Sequence, residues 1–112
     1  MNTIRLPQGE TLPSIGLGTW RMGESASSRR AEVAAIRLAV EIGYRVFDTA
    51  EMYGEGGAEQ VLGQALGDAL RSHAVRREEL FIVSKVYPHN ASRSGTAAAC
   101  DRSRQQIGRA HV

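Results

Sequence analysis

Residues 46–70 read VFDTAEMYGEGGAEQVLGQALGDAL, and the order of residue types in this stretch decides the fold class. The apolar pair Val46-Phe47 predicts a short strand, and the glycine-rich run from Gly54 to Gly57 predicts a loop that leads into a helix. Apolar residues then recur at helical spacing, at Val61, Leu62, Ala65, Leu66, Ala69 and Leu70. The stretch therefore predicts one strand-loop-helix unit.

The same unit is predicted on both sides of this stretch. Before it, Ser14 to Gly18 (SIGLG) reads as a short strand, and Ser27 or Ser28 can cap a helix that runs up to Gly43. The apolar stripe of that helix is expected at Val33, Ile36, Val40 and Ile42. After it, Leu80 to Val83 (LFIV) lacks polar alternation, which is typical of a parallel strand covered on both faces. A third helix is expected to begin near Ser94.

A small β-hairpin is expected ahead of these units. Thr3 to Leu6 and Thr11 to Leu12 are short runs that contain apolar residues, and they flank the turn sequence Pro7-Gln8-Gly9-Glu10. Three strands separated by helices cannot be hairpin partners, so the main sheet must be parallel with crossover connections. A (β/α)8 barrel and an open doubly wound sheet both satisfy that requirement.

The residues at the strand ends favour the barrel. An α/β sheet carries its chemistry at the carboxyl ends of its strands, which here read Gly18-Thr19-Trp20, Asp48 to Gly54, and Ser84 to Tyr87. Polar and aromatic groups from three consecutive units would converge on one rim, as at a barrel mouth. We therefore expect one incomplete barrel domain over residues 1–112. It consists of the hairpin (1–13) and the first three βα units (14–104) of an α/β TIM barrel.

The composition narrows the function classes. With 42% hydrophobic and 23% charged residues the chain is in the globular range, and its net charge of +2 forms no basic block. We therefore expect no nucleic-acid or membrane partner. Met1 to Gly9 lacks the apolar stretch of a signal peptide, and no later run approaches the roughly 18 apolar residues of a membrane helix, so we expect a cytoplasmic location. Cys100 is the only cysteine, and the three histidines have unrelated spacing, so no metal is predicted.

Three segments carry a resemblance to a known family: GLGTW, the run FDTAEMYGEGGAEQVLGQAL from Phe47 to Leu66, and FIVSKVYPHNAS from Phe81 to Ser92. Together they resemble the aldo-keto reductases, over nearly the whole chain up to about Arg104. The motifs DTAEMYG and SKVYP are most similar to those of bacterial members that reduce small ketoaldehydes such as methylglyoxal. The resemblance implies NADPH-dependent reduction of small aldehydes or ketones.

The resemblance also implies a role for each matching residue. Tyr53 matches the proton donor, Lys85 the cation that stabilises its phenolate, and Asp48 the carboxylate that pairs with the lysine. A unit charge about 4 Å away at an effective dielectric near 20 contributes roughly 4 kcal/mol, which is enough to make a tyrosine an acid near neutral pH. The family's fourth catalytic residue, a histidine after the fourth strand, has no counterpart among the residues present.

The first strand end matches the cofactor side of the family's site. Gly18, Thr19 and Trp20 are expected to contact NADPH together with Asp48, because a small residue allows close approach and an aromatic ring walls the pocket. On the substrate side we expect Trp20, Tyr53 and Tyr87. A non-catalytic NADPH-binding regulatory module on the same barrel remains an alternative interpretation of the same motifs.

The last residues depart from the family pattern. Ala97 to Arg104 still resembles the third helix, whereas Gln105 to Val112 does not, and IGRAHV at its end matches an in-frame translation of a common sequencing adapter. We therefore expect residues 105–112 to be a non-native tail. We also expect that residues 1–112 alone have no reductase activity, because a barrel needs about 250 residues.

Overall fold

The computed structural model describes residues 2–108 and begins with the predicted hairpin. Strand β1 (Thr3–Arg5) pairs antiparallel with β2 (Thr11–Pro13), and Ile4 lies opposite Leu12. Gly9 adopts φ +95° in the connecting turn, a left-handed conformation that glycine reaches without steric cost. The hairpin prediction is thus confirmed.

Three strand-helix units follow in chain order. They are β3 (Leu17–Gly18) with α1 (Arg29–Glu41), β4 (Val46–Asp48) with α2 (Gly57–Arg71), and β5 (Phe81–Val83) with α3 (Arg93–Ile107). The strands form one parallel sheet in the order β3-β4-β5, so the predicted crossovers are confirmed. Only the last two residues of the segment expected as the first strand pair in the sheet.

One face of the sheet carries the core. Leu17, Phe47 and Ile82 occupy paired positions on the three strands and pack against the apolar stripes of α1 and α2. Phe47 is completely buried at the centre. Because side chains alternate across a strand, the neighbouring residues Asp48 and Val83 project from the opposite face, which no helix covers among residues 2–108.

One burial expectation was wrong. Ile42 was assigned to the stripe of α1 but is 65% exposed, because it follows Val40 by two residues and a helix turns about 200° over that distance. Phe81 and Val83 of β5 are 39% and 38% exposed, because they lie on the face of the sheet that nothing covers among residues 2–108.

The caps of the first and third helices differ. Ser28 occupies the position before α1, but its hydroxyl bonds Ser25 and caps no backbone N–H, so the predicted capping bond is absent. The helix start is instead joined to the preceding loop by Glu32, whose carboxylate accepts from the Gly23 N–H at 3.0 Å. At α3 the Ser92 hydroxyl accepts from the Gly95 N–H at 3.0 Å, which fixes the helix start.

Helix α3 packs more loosely than the other two. Only Ala99 and Ser103 of this helix are buried, and a cleft of about 400 Å³ separates it from α2 and β5. The helix continues through Ile107 and ends at Gly108, where φ is +106°. It therefore includes residues 105–107 of the expected non-native tail, whose origin stays a prediction. Residues 109–112 of that tail lie outside the described part of the chain.

Candidate active site

The carboxyl ends of the three strands meet at one rim, as predicted. Beyond the paired strands the backbone ladder continues: Thr19 N–H donates to the Asp48 carbonyl at 2.9 Å, and Glu51 N–H donates to the Lys85 carbonyl at 3.0 Å. These bonds place the segments that follow β3, β4 and β5 beside one another. Residues separated by about thirty positions in the sequence thereby share one surface.

Lys85 lies at the centre of this rim. Its ammonium forms an ion pair with the Asp48 carboxylate and donates to the Thr49 carbonyl at 2.9 Å. It also donates to the Tyr53 hydroxyl oxygen at 3.4 Å, and it lies 5.0 Å from the centre of that ring. Lys85 therefore contacts both Asp48 and Tyr53, the two residues that were named with it from the sequence.

The surroundings keep Lys85 protonated. Partial burial lowers the pKa of Lys85, but the hydrogen bonds to Asp48 and Tyr53 and their charges together outweigh it, so the pKa is raised above its usual value. The ammonium therefore remains a permanent cation across the working pH range. In this position it favours negative charge on the Tyr53 oxygen, which is what a phenolic acid needs in order to release a proton.

The loop after Tyr53 turns sharply and needs its glycines. Gly54, Glu55 and Gly56 have φ of +59°, +52° and +94°, three successive left-handed residues before α2 begins. The loop also presses against the loop that follows β3: a Cβ on Gly57 would lie 2.1 Å from the Gly23 carbonyl oxygen. This backbone contact fixes the loop that carries Tyr53 against the loop that carries Trp20.

The residues at the end of β3 leave room for a flat ligand. A Cβ built on Gly18 would meet nothing within 4 Å, so the space beside Asp48 is open, and the Trp20 indole is 71% exposed at its edge. This geometry fits the close approach of a nicotinamide ring. Thr19 is fully buried and its hydroxyl donates to the Asp48 carbonyl at 3.1 Å, so its side chain braces the strand end. The assignment of all four residues to the cofactor stays a prediction.

Tyr87 lies on the same rim, two residues beyond Lys85. Its ring is stacked on that of His89, with centroids 4.7 Å apart. The two stacked rings lie in the segment that follows Lys85. The stacking of His89 was not predicted, because no local sequence pattern distinguishes it from an exposed loop histidine.

Two buried carboxylates near the rim were missed. Glu51 is 9% exposed and accepts hydrogen bonds from the Tyr87 N–H, the Asn90 amide and the Arg102 guanidinium. Glu59 is 1% exposed and accepts from the Ser84 hydroxyl at 2.7 Å, which ties α2 to the residue before Lys85. Their partners lie 25 to 51 residues away in the sequence, so only the fold reveals them.

Neither a metal cluster nor a membrane-spanning helix occurs in the described part of the chain. Within residues 2–108, no group of three His, Cys, Asp or Glu side chains is arranged to hold a metal ion. Over the same part of the chain, no helix has the length and apolar character needed to cross a membrane.

Comparison with known proteins decides the family. A sequence profile of the Aldo/keto reductase family matches residues 14–112, which include all three strand ends. The chain belongs to the aldo/keto reductase family. The resemblance stated from the motifs is thereby confirmed, and so is the barrel assignment, because the solved aldo-keto reductases below share the fold of these three units.

Several aldo-keto reductases are similar to this chain. Methylglyoxal reductase YeaE of Escherichia coli is 48% identical over 97 residues, which cover 87% of this chain and 32% of that protein. An aldo-keto reductase of Klebsiella pneumoniae, crystallised with NADPH, is 45% identical with a TM-score of 0.78 and covers 94% of this chain. The thermostable aldo-keto reductase Tm1743, crystallised with the inhibitor epalrestat, reaches a TM-score of 0.86 at 36% identity over 96% of this chain.

The chain spans about a third of the length of these aldo-keto reductases, with 34% of the Klebsiella chain and 39% of Tm1743 covered. The matched third holds the Asp48, Tyr53 and Lys85 positions of the rim.

Proposed function

We propose that the full-length protein containing this chain is an NADPH-dependent reductase of small aldehydes and ketones, with Tyr53 as the proton donor. The observation that carries the proposal is the contact between the Lys85 ammonium and the Tyr53 hydroxyl oxygen at 3.4 Å, with Asp48 paired to the same ammonium. A tyrosine in contact with a fixed cation is suited to protonating an oxygen on which negative charge develops.

The roles of the three residues follow from their contacts. The Tyr53 hydroxyl donates its proton to the carbonyl oxygen of the substrate, and the phenolate that remains is stabilised by Lys85. The Asp48 carboxylate and the Thr49 carbonyl both accept hydrogen bonds from the Lys85 ammonium, and these bonds hold it beside the Tyr53 hydroxyl. The proton returns to Tyr53 from solvent.

NADPH, when bound, would supply the hydride that reduces the carbonyl carbon. The residues we assign to it are Gly18, Thr19, Trp20 and Asp48. The open space beside Gly18 supports a cofactor at this strand end, as do the crystal structures of related aldo-keto reductases in complex with NADPH. Thr19 is completely buried, so we propose that it supports the cofactor site through its hydrogen bond to the Asp48 carbonyl and not by direct contact.

The substrate class we propose is small carbonyl compounds, in particular 2-oxoaldehydes. The support is the 48% identity to a methylglyoxal reductase, together with an aromatic residue in each segment that follows a strand of the parallel sheet, namely Trp20, Tyr53 and Tyr87. We also propose a cytoplasmic location, in keeping with a sequence that contains one cysteine.

A steady-state assay on the full-length protein tests the proposal. We expect methylglyoxal-dependent oxidation of NADPH, with a higher kcat/KM for NADPH than for NADH. A clear preference for NADH would refute the cofactor assignment. NADPH binding with no turnover of methylglyoxal or of an aromatic aldehyde would instead support the non-catalytic regulatory module.

We further propose that residues 1–112 alone do not reduce carbonyl compounds. In the described part of the chain the sheet has three strands, and its inner face exposes Phe81 and Val83, so the site has walls on one side only. Analytical ultracentrifugation and an NADPH oxidation assay on the purified 112-residue chain test this. A monodisperse and active sample would contradict it.

A further inference from the structure

Glu51, which was assigned no role from the sequence, is hydrogen-bonded to four residues across the rim. Its carboxylate accepts from the Tyr87 N–H at 2.9 Å, from the Asn90 amide at 3.2 Å and from the Arg102 guanidinium at 3.0 Å. Its own N–H donates to the Lys85 carbonyl at 3.0 Å. One residue therefore touches the strand end that carries Lys85, the loop that carries Tyr87, and helix α3.

The position of Glu51 in the chain links these contacts to the proton donor. It lies two residues before Tyr53, and the Tyr53 N–H donates to the carbonyl of Ala50 beside it at 3.2 Å. The segment holding Tyr53 and the segment holding Lys85 are thus joined through Glu51. A shift of Glu51 relative to its partners would change the distance between the tyrosine oxygen and the lysine nitrogen.

The carboxylate is ionised in this setting. The backbone hydrogen bond from Tyr87 lowers the pKa of Glu51; burial raises it, and the bonds from Arg102 and Asn90 lower it further, so the net shift is downward. A carboxylate that is 9% exposed needs such partners, because a buried charge without them is strongly destabilising. The three donors are therefore matched to a negative charge.

We infer that Glu51 is a positioning residue for the Tyr53–Lys85 pair and for the loop that carries Tyr87. This inference rests on the proposed reductase function. Glu51 has no contact with the Tyr53 hydroxyl or the Lys85 ammonium among its hydrogen bonds, so it acts through backbone geometry.

The test uses the full-length protein with Glu51→Gln. The Gln carbonyl can still accept from the Tyr87 N–H. Its NH2 group cannot accept a hydrogen bond, so it would face the Asn90 and Arg102 donors without bonding them, and the loop that carries Tyr87 shifts. A retreat of the ammonium by about 1 Å from the phenolic oxygen weakens their attraction. At effective dielectrics between about 20 and 40 this raises the pH midpoint at which the reduction rate falls by roughly 0.4 to 0.8 unit. We expect kcat to fall by about 2.5-fold to 6-fold.

The matched control is Glu55→Gln, which makes the same chemical change in the same loop. Glu55 is exposed and its side chain makes no hydrogen bond within residues 2–108, so kcat and the pH midpoint should stay at the wild-type values. A second, milder variant is Arg102→Gln, since that side chain is 52% exposed. It should move the midpoint in the same direction by a smaller amount, and it decides the question if Glu51→Gln does not fold.

A readout without turnover separates this inference from the proposed function. Ultraviolet titration of the Tyr53 phenolate, taken as the difference from Tyr53→Phe, reports the influence of the lysine directly. An upward shift of that titration in Glu51→Gln, with an NADPH Kd within about 2-fold of wild type, supports the positioning role even if no carbonyl is turned over. A Tyr53 titration that is unshifted in both Glu51→Gln and Arg102→Gln would overturn the positioning role. Losses of NADPH affinity and thermal stability in these variants, with no change in the pH profile, would also overturn it.

Discussion

Replacement of Lys85 by Met is the perturbation whose magnitude follows most directly from the site. The ammonium lies 3.4 Å from the Tyr53 oxygen, a separation at which a unit charge stabilises the phenolate by about 5 kcal/mol at an effective dielectric of about 20. In bulk water the same separation gives roughly 1 kcal/mol. The Lys85 side chain is 45% exposed, so solvent screening places the expected value between these limits, at about 2 to 3 kcal/mol.

Lys85→Met should therefore lower kcat of the full-length protein by about 30-fold to 150-fold. It should also move the alkaline limb of the pH-rate profile upward by roughly 1.5 to 2 units, because a phenolate without its cation forms only at higher pH. Steady-state rates of methylglyoxal reduction between about pH 5 and pH 10 measure both effects.

The matched control for Lys85→Met is Arg93→Met, which also removes one positive charge. Arg93 is exposed in the first turn of α3 and makes no ion pair among residues 2–108, so its replacement should leave the profile unchanged. A Lys85→Met variant whose kcat stays within about 3-fold of wild type, with an unmoved alkaline limb, would refute the electrostatic reasoning.

Three further predictions concern the rim and its support. Gly23→Ala should lower the unfolding free energy by at least about 2 kcal/mol more than Gly43→Ala. Both glycines have φ above +70°, but only at Gly23 would an added Cβ meet backbone, 2.1 Å from Gly57. Chemical denaturation measures the difference, and equal losses in the two variants would contradict the contact. The Glu51 carboxylate has a lowered pKa, so its contribution to stability is present above the usual pKa of 4.5 and is lost as the pH falls through the lower pKa of the folded state. The difference in melting temperature between wild type and Glu51→Gln should therefore shrink below about pH 4. A difference that stays constant with pH would contradict the lowered pKa. Tyr87→Ala should raise KM for methylglyoxal by about 3-fold to 10-fold with an unchanged Kd for NADPH, and a change in Kd alone would place Tyr87 on the cofactor side.

The strand-helix units could be predicted because each carries its own periodic signal. The run Val46-Phe47 and the helical spacing from Val61 onward are local patterns, and the structure places both as expected. The burial of individual residues was harder to predict. Ile42 is apolar but lies beyond the stripe of α1, so hydrophobicity alone assigned it incorrectly.

Some residues of the site could be predicted from the sequence and others could not. Asp48, Tyr53 and Lys85 were identified from the family resemblance, and the strand-end argument placed their segments on one rim. In the structure Lys85 contacts both Asp48 and Tyr53. Glu51 stood within the same motif without an assigned role. Its acceptor bonds reach Tyr87 and Arg102, up to 51 residues away, and such pairings arise from tertiary packing that leaves no trace in local spacing.

The most direct test of the account is the single-turnover rate of NADPH oxidation by the full-length protein and its Tyr53→Phe variant, with methylglyoxal in excess. The variant removes only the hydroxyl that Lys85 contacts, so NADPH affinity, measured by fluorescence quenching on the same samples, should stay within about 2-fold of wild type. The rate of NADPH oxidation should fall by at least about 100-fold, the loss typical of removing a general acid. A Phe variant that oxidises NADPH at close to the wild-type rate would contradict the assignment of Tyr53 as the proton donor.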